Sequence, residues 1–297
     1  MSSRLRRVLG HDYGHCIFWM AGLLPIPTTD VPPAAILDDD CSAVFATLDR
    51  YGVSGPASAL QTGIPNATQT RCLNFMQNPW LALPETTPLV LPADAALLDA
   101  FNKKAAAEYQ YDLSLFPEPY FGSRTASVVV LNLNPGWSKE DAAVHAQPEF
   151  AAMARASLAH ALKPHPFLHL QPVAETPGGV WWHRRVRRLI EDVGCFNAVA
   201  QGLGCIQYMP YHSQRYRSSK RFKLPSQQYS FALVREAITR KAEIVILRSS
   251  RLWLAAVPEL ADYRHCHYGA NPRAPYLSPG NLAEAYPVIV QRLQAGR

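Results

Sequence analysis

The chain has 297 residues, 48% of them hydrophobic, and carries a formal net charge of +6. That apolar content supports a sizeable core and excludes global disorder, while the modest basic excess allows a polyanionic partner without demanding one. No apolar run reaches the roughly 18 residues of a membrane-spanning helix, so no membrane partner is expected.

Arg4, Arg6 and Arg7 precede an apolar stretch at 16–27, a faint likeness to an export signal. His11, Asp12 and His15 interrupt it, Pro25 and Pro27 break it, and no clean small-residue cleavage site follows. The six cysteines (Cys16, Cys41, Cys72, Cys195, Cys205 and Cys266) include no C-x-x-C pair. That spacing gives no support to a zinc ribbon or an iron–sulfur cluster and fits a reduced, cytoplasmic protein. His11, His15 and Cys16 have helical spacing and His265-Cys266-His267 is compact, but neither group has a convincing further ligand nearby, so no metal is expected.

In chain order, residues 1–75 read as an irregular extension with one helix at 34–51, and residues 76–297 as an α/β domain. Residues 94–110 predict a helix with Asp94 as its N-cap. Pro117-Glu118-Pro119-Tyr120-Phe121-Gly122 reads as a rigid turn leading to a strand at 127–133. Helices follow at 139–145, 148–162 and 181–193. The last carries a basic face of His183, Arg184, Arg185, Arg187 and Arg188, with Trp181 and Trp182 assigned to the core. A strand at 204–210 closes on Pro210. A helix at 226–241, with Ser226 as a cap, precedes a buried strand at 242–247. A short helix at 252–260, a last strand at 265–269, a loop at 271–281 and a C-terminal helix complete the chain. Strands alternating with helices predict a parallel sheet.

The richest stretch is Val128-Val129-Val130-Leu131-Asn132-Leu133-Asn134-Pro135-Gly136-Trp137. A β-branched run ends abruptly in Asn-Pro-Gly, which cannot continue a strand because Pro lacks the N–H donor. Asn134 is therefore held at the carboxyl end of a central strand, where open α/β sheets bind ligands. Two further strand ends are polar and Pro-containing: Gln207-Tyr208-Met209-Pro210-Tyr211-His212 and Asn271-Pro272-Arg273-Ala274-Pro275-Tyr276. Parallel strands bring such loops to one edge of the sheet.

On these residues the chain resembles the uracil-DNA glycosylase superfamily over roughly 117–290, nearest its mismatch-specific and single-strand-selective branches. Their first motif reads G-[IM]-N-P-G, and Asn132-Leu133-Asn134-Pro135-Gly136 matches it except that Asn132 replaces the first Gly. The resemblance implies a three-layer α/β/α sandwich around a mainly parallel four-stranded sheet. It implies a monofunctional, monomeric DNA glycosylase that hydrolyses an N-glycosidic bond of a flipped pyrimidine and uses no cofactor. Asn134 then positions the attacking water, an orienting role in which an amide is a weak base. Gln207 stands where the family's N-x-x-P motif has the Asn that reads the base. Asn271 stands where the H-P-S motif has a His, so the leaving group is stabilised less. No Lys lies in the motifs, which argues against lyase chemistry.

The same resemblance assigns Asn132, Gly136, Trp137, Gln207 and Tyr208 to the base pocket. Gly136 replaces the bulky residue with which strict uracil enzymes block base carbon 5. Together with Gln207 it implies a roomier site for a modified pyrimidine, such as the glucosylated hydroxymethylcytosine excised by a phage-defence branch of the superfamily. DNA contacts are expected from His212, Arg215, Arg217, Lys220, Arg221 and Arg273, with Tyr276 and Leu277 as the wedge that fills the vacated stack. Uracil or mismatch repair, DNA binding without cleavage, and hydrolysis of free nucleosides are the alternatives.

Overall fold

The computed structural model describes residues 76–173, 175–217 and 222–296. The expectations for residues 1–75, and for Lys220 and Arg221, lie outside the described residues. Five strands form one mixed sheet in the order β1-β3-β2-β4-β5. They are β1 Tyr120–Gly122, β2 Val128–Asn132, β3 Leu203–Gln207, β4 Glu243–Ile246 and β5 Cys266–Tyr268. The four expected strands are the parallel ones, β2 to β5. The fifth, β1, is a correction: the segment read as a rigid turn pairs antiparallel with β3 at the sheet edge.

Beta-branched and leucine side chains fill β2, and all five of its residues are buried, as a strand covered on both faces requires. Its register is Val128 beside Leu203 of β3 on one side and beside Glu243 of β4 on the other. The chain leaves β2 toward β3 and leaves β4 toward β5, in opposite directions. The topological switch point therefore lies between the carboxyl ends of β2 and β4.

The helices among the described residues are α1 Pro92–Asn102, α2 Lys139–His145, α3 Pro148–Leu158, α4 Pro177–Val193, α5 Phe196–Gly202, α6 Gln227–Thr239, α7 Ser250–Ala256, α8 Pro279–Leu282 and α9 Ala285–Gln294. None is long and apolar enough to cross a membrane. Helix α5 was not anticipated, and α4 begins earlier than its apolar pattern suggested. Pro177 stands at its first turn and the Thr176 hydroxyl accepts the Gly179 N–H at 2.9 Å. Asp94 is not an N-cap. It is fully buried inside α1, where it accepts hydrogen bonds from the Tyr211 hydroxyl at 2.9 Å and the Ser226 N–H at 3.1 Å. These bonds tie α1 to the loop after β3 and to the start of α6. Ser226 precedes α6 but makes no capping bond. The described cysteines, Cys195, Cys205 and Cys266, are unpaired.

Gly122 ends β1 at φ +101°, and a Cβ there would lie 2.6 Å from both Gly204 Cα and the Leu203 carbonyl oxygen. Both the backbone conformation and the contact with β3 demand glycine. Gly122→Ala is expected to lower unfolding stability by at least about 2 kcal/mol, read as an earlier urea midpoint at unchanged slope.

Candidate active site

Three strand-end segments line one cavity of about 420 Å³ at the switch point. Residues 132–138 end and follow β2, Gln207 ends β3 with 212–214 beyond it, and Arg248 follows β4. Parallel pairing persists past the strands: Tyr208 N–H donates to the Asn132 carbonyl at 3.2 Å and Met209 N–H to Leu133 at 2.8 Å. The Trp253 indole donates to the same Asn132 carbonyl at 2.9 Å. The backbone is thus locked where the polar side chains begin.

Asn134 turns toward the cavity with its amide orientation determined. Its Nδ2 donates to the Pro135 carbonyl at 2.8 Å and to Ser213 Oγ at 3.1 Å. A flipped amide would set its oxygen against that carbonyl. Both hydrogens are committed, and Oδ1 has no protein donor among the described residues. Gly136 is exposed, and a Cβ built on it meets nothing within 4 Å. Trp137 is held by a 2.8 Å bond from its indole to Asp112, whose carboxyl lies below its usual range: burial works against ionisation, but bonds from Ser114 and Trp137 outweigh it. Trp137 and Gln214 also line a shallower depression next to the cavity, with Tyr111 and Asp112.

Asn132 and Gln207 lie in the cavity wall, 5% and 3% exposed. Asn132 Oδ1 and Gln207 Oε1 have no hydrogen-bond partner. Tyr208 does not reach the cavity. It is buried between Phe231 and Trp253, at ring separations of 5.6 and 5.4 Å, because the side chain after Gln207 points to the opposite face of the sheet.

The largest feature missed at sequence level is a buried charge network in the same wall: Glu118, His145, His169 and His212. Glu118 Oε2 is 3.0 Å from His169 Nε2 and Oε1 is 3.8 Å from His212 Nε2. Burial opposes its ionisation, yet the charges of His169 and His212 and the bond from His169 win, holding its carboxyl at about 2. Burial, reinforced by His212, pulls His145 down to about 3, so its ring is neutral near pH 7. Gly178, in the first turn of α4, lies directly on His169; a Cβ there would come 2.5 Å from the ring. The only signal in the sequence was an acid flanked by two prolines at 117–119, which reads equally well as a turn.

Glu118, His145 and His212 offer ligand atoms within 4.8 Å of one another, a spacing that could hold a metal ion. Their hydrogen bonds oppose it. His145 Nδ1 accepts the Phe116 N–H at 2.9 Å, so the hydrogen of its neutral ring sits on Nε2 and blocks coordination there. His212 has both nitrogens against carbonyl oxygens, those of Gly136 and Phe116, and offers no lone pair. His212, expected to touch DNA, is instead 4% exposed and braces the loop after β2.

The third loop departs furthest from expectation. Asn271 is exposed, lines no part of the cavity, and its Oδ1 caps its own turn by accepting the N–H groups of Arg273 and Ala274 at 3.0 and 3.2 Å. Asn before Pro is suited to that turn role. Leu277 is fully buried in the core and cannot act as a wedge. Tyr276 is half-buried beneath Arg185, 5.3 Å from the ring centre. Arg273, Arg215 and Arg217 are exposed, as DNA contacts require. Two rim residues were not anticipated. Trp181, assigned to the core, lines the cavity with the Arg185 guanidinium 3.6 Å over its ring. Arg248 lies in the wall with its Nε donating to the Pro272 carbonyl at 3.1 Å. Trp182 is core, edge-on to Phe167 and Phe121.

Compared with family models, with curated proteins and with solved structures, the chain finds no match.

The network carries a pH signature. The folded state holds His145 depressed to about 3, so unfolded chains bind the extra proton first and stability falls as pH drops below about 6.5. Glu118 adds a further loss as pH falls from its ordinary value of 4.5 toward about 2. His145→Gln is expected to flatten the upper part of this profile, between about pH 6.5 and 4, in thermal melts taken across the range.

Proposed function

We propose that this protein is a DNA glycosylase that takes a flipped pyrimidine into the cavity at the switch point and hydrolyses its glycosidic bond. One observation carries the reading: Asn134, just past the end of the central strand, lines the cavity with both amide hydrogens committed and its carbonyl oxygen without a protein donor among the described residues. An oxygen so placed accepts a hydrogen from water and aims the water's lone pair at the anomeric carbon. Glu118, ionised down to about pH 2 and ion-paired with His169 and His212, fixes the wall of the cavity behind the base. The open space beside Gly136 allows a substituent on base carbon 5. The reading carries with it a three-layer sandwich and a monomer working in the cytoplasm.

Arginine pairing supports a polyanionic partner. Arg124, Arg155, Arg187, Arg188, Arg235 and Arg292 each have a carboxylate within 2.6–3.6 Å. Arg184, Arg185, Arg248, Arg251 and Arg273 have none among the described residues, and two of these sites, Arg185 and Arg248, bear on the cavity rim. Burial, with the like charges of Arg248 and Arg184, pulls Arg185 below its usual range. A cluster of uncompensated cations beside a cavity is matched by phosphate.

The position of Asn271 outside the cavity favours a second reading, DNA binding without cleavage, because no group from that loop reaches a leaving base. Base release from oligonucleotides carrying uracil, hydroxymethylcytosine and glucosylated hydroxymethylcytosine, followed by mass spectrometry, separates the two. Release from at least one substrate is expected, with Asn134→Ala slowing it by about 100-fold or more. Binding with no release from any of them would leave the second reading standing. Arg248→Ala is expected to weaken DNA binding and reduce the slope of log affinity against log salt by about one, whereas Arg187→Ala, removing an arginine already paired, leaves that slope unchanged.

A further inference from the structure

We infer that the first turn of α4 enters the base stack of duplex DNA, with Val180 as the wedge that fills the place of the flipped nucleotide. The inference rests on the proposed base-flipping site and adds the form of DNA that it serves. Extruding a nucleotide from a duplex leaves a gap in the stack, and an inserted apolar side chain offsets the lost stacking. Neither side chain expected to do this is placed for it. Leu277 is fully buried, and Tyr276 is half-buried beneath Arg185.

Pro177, Gly178 and Trp181 of α4 line the cavity, and Val180, between them in the chain, is 55% exposed. Its side chain therefore stands beside the opening, on the side of the helix away from the buried stripe of Trp182, Val186, Leu189 and Val193. The other large apolar side chains exposed among the described residues are Met76, Leu81, Leu97, Val173, Tyr268 and Val288. Of these only Val173 is close in sequence to a segment that lines the cavity, and it lies in the loop before α4. The fold gives Val180 no task. It is not among the side chains packed on the core, and a β-branched residue in a helix costs stability relative to alanine.

A wedge must keep its place while the stack closes on it. Thr176 caps α4 at one end, Gly194 ends it in the left-handed conformation at φ 71°, and the buried stripe anchors it in the core. A helical valine has one strongly preferred χ1 rotamer, so insertion orders little. Arg184, one turn further along the same side, is exposed and has no carboxylate among the described residues. Arg185, stacked over Trp181, and Arg248, in the cavity wall, add two more such cations at the rim. An apolar side chain ringed by unpaired cations complements a gap in a stack bordered by phosphates. Single-stranded DNA has no paired stack to hold open, so the wedge marks duplex DNA as the partner.

The test uses the full chain and two duplexes of one sequence, one fully paired and one with a central tetrahydrofuran residue opposite guanine. The tetrahydrofuran carries no base, so the gap is present and there is no glycosidic bond to cleave. Fluorescence anisotropy is expected to show the gapped duplex bound at least about tenfold more tightly. Val180→Ala, which favours the helix and so keeps the fold, should cut that preference to about twofold or less, while Val180→Leu retains it. Arg184→Ala should weaken both duplexes alike and leave the preference standing. Equal binding of the two duplexes by the unmodified chain, no detectable binding of either, or a preference that survives Val180→Ala would overturn the wedge. A preference that Val180→Ala abolishes, with no base released from any substrate, would instead sink the glycosylase reading alone.

Discussion

Strand β2 has a hydrogen-bonded parallel neighbour on each side, and all of its residues are buried. Its backbone is committed along its whole length and its side chains are committed to the core, so only its carboxyl end is chemically available. The connections from β2 and β4 depart in opposite directions at that end and leave a crevice that no crossover fills. The Asn132 carbonyl, bound by both Tyr208 N–H and the Trp253 indole, pins the crevice floor. Everything the site contains is placed relative to this point.

The cavity combines groups of opposite demand. Glu118 is an anion deep in the wall, compensated by His169 and His212, whereas the rim carries guanidinium groups without carboxylates. A buried carboxylate loses much of its hydration, and only close, hydrogen-bonded partners make it tolerable. His169 and His212 therefore serve the anion, and the hydrogen bonds of His145 and His212 to backbone groups of residues 116 and 136 join that network to the loop that carries Asn134.

Much of the sheet was legible in the sequence because parallel strands buried on both faces are continuous apolar runs, and 128–131 and 244–247 are such runs. Asn134 and Gly136 were legible because they flank a proline that breaks an apolar run, and Gln207 because it ends a short run three residues before Pro210. Strand β1 was not: Tyr120-Phe121-Gly122 is too short to show a period, and its pairing with β3 depends on a close approach of Gly122 to Gly204 across distant chain segments. Asn271 was misassigned because the motif pattern located a loop but not the direction of its side chain, and the local turn took the side chain first.

The sequence by itself determined that a polar residue stands at the end of a buried central strand, since the β-branched run and the Asn-Pro-Gly break are local facts of sterics and hydrogen bonding. Only the tertiary structure decided which groups meet there. Glu118 precedes an edge strand, His145 ends a helix, His169 lies in a loop and Arg248 follows a different strand, and no local pattern links them. Their convergence follows from strand order and register, which are set by burial summed over the whole sheet and cannot be read from any one segment.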